Sequence, residues 1–268
     1  MDFRKRFVVN KKDFRLSDHD PGDTCGFDDE ALADEQAKKN TQKLEKLQNV
    51  LYAGQKRAIL IVLQGMDAAG KDGTIKHVMG GVNPQGCQVT SFKQPTPEEL
   101  AHDYLWRVHK AVPPRGDIGI FNRSHYEDVL VVRVHKTVPK EIWSDRYRQI
   151  RSFEEMLHQN DVVILKFFLN ISKAEQEKRF EARVDDPERN WKSSAADFAE
   201  RKFWSQYQEA YQDALEKTSR SDAPWYVIPA NHKWFRNLAV SQILADTMQD
   251  LDLKYPVSAA SKQAGKPA

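Results

Sequence analysis

Ala58-Ile-Leu-Ile-Val-Leu-Gln-Gly65-Met-Asp67-Ala-Ala-Gly70-Lys71-Asp72-Gly73-Thr74 is an unbroken apolar run leading into a glycine-bearing loop that ends in lysine, with a helical pattern behind it. The apolar run reads as a buried strand. Glycines let successive backbone N–H groups converge on an anion, the following helix adds the positive end of its dipole, and Lys71 supplies a mobile point charge. The stretch therefore reads as a phosphate cradle, with Gly65, Met66, Ala68, Ala69, Gly70, Lys71, Asp72 and Gly73 as its phosphate-binding positions. The spacing from Gly65 to Gly70-Lys71 is that of the common phosphate loop, but Asp72 stands where that pattern places a hydroxyl for magnesium.

Outward from this loop, short apolar runs alternate with longer periodic ones. Strands are expected over 58–63, 88–92, 118–121, 162–169 and 225–228, and helices over 28–52, 71–79, 98–112, 125–132, 141–159, 174–184, 195–217 and 234–251. The alternation implies right-handed crossovers and a five-stranded parallel sheet covered by helices on both faces, an α/β fold of three layers. Ligands of such sheets sit beyond the strand C-termini, where Gly65 to Lys71 falls. One domain over 1–254 is expected, opened by an extended arm and a helix over 1–54. The segment 255–268, rich in Ser, Ala, Lys and Pro, reads as a disordered tail.

Composition narrows the function. A formal net charge of +2 is too small for bulk attraction to nucleic acid or a membrane, so an anion site must come from local placement of charge. No run approaches the roughly 18 apolar residues of a membrane span, and Cys25 and Cys87 lie far apart without metal-ligand spacing. A cytoplasmic protein with no nucleic-acid partner is expected.

A second constellation is Asp117-Ile-Gly-Ile-Phe121-Asn122-Arg123-Ser124-His125-Tyr126-Glu127-Asp128, a strand whose end delivers polar groups to the edge of the sheet that carries the loop. Where many phosphate-loop enzymes hold magnesium with an Asp at such a strand end, this chain has the neutral Asn122. Asp67 is then the first carboxylate for a hard cation, with Glu127 or Asp128 one turn further on. Ser124 and Glu127 also have the spacing of a capping box, so the cluster has a purely structural reading too. The third constellation is Gln176-Glu-Lys-Arg179-Phe-Glu-Ala-Arg183-Val-Asp-Asp-Pro187-Glu-Arg-Asn-Trp-Lys192. Arg179 and Arg183 share a helix face and the Asp-Pro break turns the chain back, so 173–202 reads either as a lid over an anion or as a solvated helix.

Four blocks taken together, Gly65 to Thr74, Phe121 to Val129, Asp185 to Lys192 and Ala223-Pro-Trp-Tyr-Val-Ile-Pro-Ala-Asn231, make the chain resemble the family-2 polyphosphate kinases. The resemblance runs from the N-terminal arm to about Leu251. It implies a thymidylate-kinase-like P-loop fold with a helical lid, dependence on Mg2+ or Mn2+, and phosphoryl transfer between inorganic polyphosphate and adenine or guanine nucleotides by a homotetramer or homodimer. It further implies a catalytic set of Asp67, Lys71, Asn122, Arg123 and Glu127, with Asp67 as the metal ligand and Arg123, Arg179, Arg183 and Lys192 joining the loop in binding phosphates. Asn122 departs from subgroups with Asp there and is similar to the subgroup that makes ADP from AMP and ATP from ADP. Two other readings share these motifs: an ATP-dependent nucleoside monophosphate kinase, and a nucleotide-binding regulator without catalysis.

Overall fold

Strand β1 (Ala58–Gln64) is buried at all of its positions, and because successive side chains point to opposite faces, both faces of the sheet are covered around it. The structure is a computed structural model that describes residues 1–10, 13–188, 190–192 and 195–257. With β2 (Cys87–Ser91), β3 (Ile118–Asn122), β4 (Val162–Asn170) and β5 (Trp225–Pro229), β1 forms the expected five-stranded parallel sheet, in the order β2-β3-β1-β4-β5. From β1 the chain runs to the β2 edge, returns to β3 beside β1 and then crosses to β4 and β5, so the connections leaving β1 and β3 go to opposite sides and a crevice opens at their tips, where the switch-point rule places a ligand. Leu63 pairs with Asn122, which brings the glycine loop and the second constellation to one edge. Beside that tip, the Arg123 N–H donates to the Leu63 carbonyl at 3.1 Å.

Eleven α-helices surround the sheet among the described residues: α1 (Phe3–Phe7), α2 (Glu30–Gly54), α3 (Lys71–Val78), α4 (Pro97–Leu100), α5 (Trp106–Lys110), α6 (Val131–Val134), α7 (Lys140–Gln159), α8 (Lys173–Val184), α9 (Ala195–Glu200), α10 (Trp204–Thr218) and α11 (Lys233–Asp250). α11 packs on α2 and α3, and α7 on β4 and α10. The Asp29 carboxylate caps α2 by accepting from the Ala31 and Leu32 amides, and Ser172 caps α8 by accepting from Glu175. No helix among the described residues is long and apolar enough to cross a membrane.

Several helices expected from periodicity are broken. The span 98–112 divides into α4 and α5, because the Asp103 carboxylate takes the Leu105 amide at 3.0 Å and competes with helix continuation. The span 195–217 divides at a 3-10 turn, Arg201–Phe203. The span 125–132 is a 3-10 turn at His125–Asp128 followed by α6, with Ser124 as its N-cap but without the reciprocal Glu127 contact of a capping box. The buried Ser124 hydroxyl accepts from the Tyr126 amide and from Gln64, while the Glu127 carboxylate lies within electrostatic reach of the glycine loop. The N-terminal arm is more than a surface strap. Phe3 and Phe7 of α1 enter the core against Phe235, and Val8 makes an antiparallel bridge to Tyr226 along edge strand β5. Of the tail, 258–268 lies outside the described residues.

Candidate active site

The loop between β1 and α3 uses backbone conformations that dictate its residues. Gly65 has φ +154°, and a Cβ there would come within 2.8 Å of the Leu169 carbonyl oxygen, so β4 excludes any side chain. Gly70 has φ +104° and caps α3 without a side-chain hydrogen bond, and the first-turn amides of an α-helix find no acceptor within the helix itself. That is the physical form of an anion cradle.

Lys71 arches over this cradle. Its Nζ donates to the Gly65 carbonyl at 2.8 Å and more weakly to Met66 at 3.4 Å. Burial pulls the ammonium below its ordinary pKa; Asp67 opposes the shift and Arg123 reinforces it. Arg123, held at φ +61° just past β3, donates from Nη2 to Asp67 Oδ1 at 2.8 Å and is about half exposed. Burial pushes the Glu127 carboxyl up, with Asp67 adding to the push and Arg123 and Lys71 acting against it. Asn122 Nδ2 at the end of β3 donates to Asp72 Oδ1 at the start of α3 at 2.8 Å, so the amide and the acid meet across the crevice. Asp67, Lys71, Arg123 and Glu127 thus form one cluster at the strand tips, with Asn122 and Asp72 beside it.

The expected lid cations fare differently. Arg179 is spoken for: Nε donates to Glu175, Nη1 to the carbonyls of Ala68 and Ala69 at 3.0 and 3.2 Å, and Nη2 to those of Ala230 and Asn231 at 2.6 and 2.9 Å. A guanidinium has five N–H donors, and these contacts engage them all. In this arrangement Arg179 ties the back of the loop to the segment after β5. Gln176, one turn earlier on α8, adds a hydrogen bond to the Asp67 carbonyl at 2.9 Å. Arg183 lies over the Phe180 ring at 5.4 Å. The Lys192 side chain lies outside the described residues.

Under the second constellation lies a charged network in the core. Lys166 of β4 and Glu154 of α7 are fully buried and joined at 2.5 Å, with the Tyr126 hydroxyl donating to Glu154 at 2.7 Å and His125 Nε2 at 3.3 Å. Lys166 also donates to Tyr126 and to the Thr218 carbonyl, both at 3.0 Å. Burial alone would raise the Glu154 carboxyl, but Lys166 and His125 outweigh it and hold the group below its ordinary value. Because Tyr126 and His125 sit between Arg123 and Glu127, this network fixes the turn that presents both to the loop.

A sequence profile described as polyphosphate kinase 2 (PPK2) matches residues 28–256. The chain belongs to the polyphosphate kinase 2 family. An AMP/ADP-polyphosphate phosphotransferase of Meiothermus ruber is 54% identical over 245 residues, covering 91% of both chains. An ADP-polyphosphate phosphotransferase of Rhodopseudomonas palustris is 51% identical over 234 residues, 83% of this chain and 81% of that one. The crystal structure of polyphosphate kinase 2 from Arthrobacter aurescens TC1 matches with a TM-score of 0.94 at 42% identity, covering 98% of this chain and 96% of that one. Within this PPK2 chain, motif reading missed Gln176 and Arg236, which touch the loop only in three dimensions. Arg236 left one trace in the sequence, a cation inside the largely apolar Trp234-Phe-Arg-Asn-Leu-Ala-Val240 stretch of α11.

Proposed function

We propose that the chain is a phosphotransferase that moves the terminal phosphoryl group of inorganic polyphosphate onto AMP or ADP, giving ADP and ATP. The observation that carries this reading is the convergence of Lys71, Arg123 and the uncapped start of α3 on one crevice, in a PPK2-family chain whose relatives are named for that reaction. The attacking group is a phosphate oxygen already ionised near neutral pH, so transfer needs alignment and relief of charge repulsion more than a general base. The site fits that demand: it gathers cations and amides, and the histidine of the second constellation, His125, is buried against Glu154.

Asp67 and Glu127 are oxygen donors of the kind magnesium selects, and among the described residues no cluster of three metal-binding side chains forms. That suits an ion held by one or two carboxylates and completed by substrate phosphates. Bound there, magnesium would supply positive charge between the two polyanions. Asp67 already grips Arg123, so a cation engaging this carboxylate would compete for it and free the guanidinium for phosphate. In this reading Lys71 and the loop amides hold the transferring phosphoryl group, Arg123 steadies it from the β3 side, and Arg179 and Gln176 keep the loop in shape. The distal part of 173–202 is the segment proposed to close as a lid.

Supplied with ADP, magnesium and long-chain polyphosphate but no nucleoside triphosphate, the protein is expected to make ATP without stoichiometric AMP, and with AMP in place of ADP to make ADP. Parallel assays with GDP and GMP define the base preference. ATP appearing only with equal AMP would mean that two ADP molecules exchange phosphate. No product from polyphosphate, with robust transfer from ATP to AMP, would establish a nucleoside monophosphate kinase instead.

A further inference from the structure

Arg236, the fourth residue of α11, is 2% exposed and lies directly beneath the loop. Its Nη1 donates to the Ala69 carbonyl at 3.3 Å, while Nε and Nη2 both donate to Asn237 Oδ1, at 3.2 and 2.8 Å. A Cβ on Gly70 would overlap Nη1 and come within 2.8 Å of the guanidinium carbon, and one on Gly73 would stand 3.3 Å from Nη2. The guanidinium thus occupies the space that Gly70 leaves by having no side chain, one layer below the amides that open α3.

The charge there is uncompensated. Among the described residues Arg236 forms no ion pair, and the ionisable group that most perturbs it is another cation, Arg179. Its near neighbours add the same sign, since it sits at the positive end of α3 and in the first turns of α11. Burial first, and Arg179 second, push its pKa down to about 9, which leaves it charged at neutral pH. Breaking the balance of a buried charge is costly, and a lone buried cation beside two helix N-termini is a cost that the unliganded fold carries. On the opposite side of Gly70 is the cradle, where an anion would supply the missing negative charge.

We propose that Arg236 is a positioning residue that acts as a buried counter-charge to the phosphate in the Gly65–Lys71 loop, weakening the empty protein and tightening its hold on the polyanion without touching it. This rests on reading the loop as a phosphate site. It goes beyond that reading by dividing the cage into groups that meet the ligand and one that acts through the loop backbone.

Asn237→Asp tests the idea by giving Arg236 an internal carboxylate in place of the amide oxygen it already contacts. The ligand-free variant is expected to melt above wild type and to bind inorganic tripolyphosphate at least about tenfold more weakly, with a smaller ligand-induced rise in melting temperature. Arg236→Met removes the charge and should weaken tripolyphosphate binding by a similar factor, and Arg236→Lys should recover much of the loss. If Arg236→Met does not fold, Asn237→Asp decides alone. Tripolyphosphate affinity unchanged or tighter in Asn237→Asp overturns the inference, whatever the melting temperatures show. Binding is read without turnover, so that result leaves the donor assay untouched, and failure of the donor assay leaves this one standing.

Discussion

Lys71→Met is expected to lower the turnover number for phosphoryl transfer by about 10²- to 10³-fold, the loss typical of removing one preorganised stabiliser of developing charge. The size follows from where the ammonium sits. Its contacts are backbone carbonyls of Gly65 and Met66, its surroundings are desolvated, and it is held over the cradle before any ligand arrives. A charge in that setting acts more strongly than one in water and needs little reorganisation when the phosphoryl group moves. Methionine keeps much of the side-chain volume, so the fold should survive and the defect should lie in catalysis. Steady-state kinetics with a melting curve on the same preparation checks it. Turnover near wild type in a folded variant would remove Lys71 from the catalytic set.

Glu154→Gln should cost about 3–5 kcal/mol of folding stability, the usual penalty for stranding one member of a buried ion pair. Lys166 would be left at the middle of β4 with the Tyr126 hydroxyl, the Thr218 carbonyl and a neutral amide as its neighbours, and the burial that already lowers its pKa would lose its main opponent. Chemical denaturation measures the loss. The double variant Glu154→Leu with Lys166→Met, which removes both charges, should recover much of it. The wild-type pair also carries a pH signature. Because the folded carboxyl gives up its proton more readily than a free glutamate, its contribution is complete above the ordinary value of 4.5 and is lost as the pH falls through the lower folded-state value. Glu154→Gln should therefore lack part of the wild-type acid sensitivity. A cost within 1 kcal/mol of zero would mean that the network does not anchor the turn between Arg123 and Glu127.

What the sequence made legible follows from how far each signal reaches along the chain. β1, its loop and the start of α3 are one contiguous stretch in which hydrophobic pattern, glycine placement and lysine agree, and the structure reproduces it nearly residue for residue. The five strands and their parallel sense were also legible, because buried strands alternating with helices leave few topologies. Where a side chain competes for a local amide, periodicity misled. Asp103 ended one helix, and Ser124, turned inward toward Gln64, left Glu127 free to face Lys71 and Arg123.

The arginines show the sharper limit. Helical spacing put Arg179 and Arg183 on one face, but it carries no information on what that face meets. Only the packed structure shows Arg179 meeting four carbonyls of the loop and the segment after β5, with every donor engaged. Arg236 lies 166 positions from Gly70 in the chain, and its place under that glycine depends on α11 crossing α3. No local motif encodes such a contact.

The central claim is that a locally built cage, in a chain of net charge only +2, holds two mutually repelling polyanions in line. Its most direct test is the affinity for long-chain polyphosphate measured by calorimetry across a salt series, for wild type and for Lys71→Met with Arg123→Met. Wild-type affinity should fall steeply with added salt, and the double variant should bind far more weakly with a shallower salt dependence. Tight, salt-insensitive binding that survives both substitutions would contradict it.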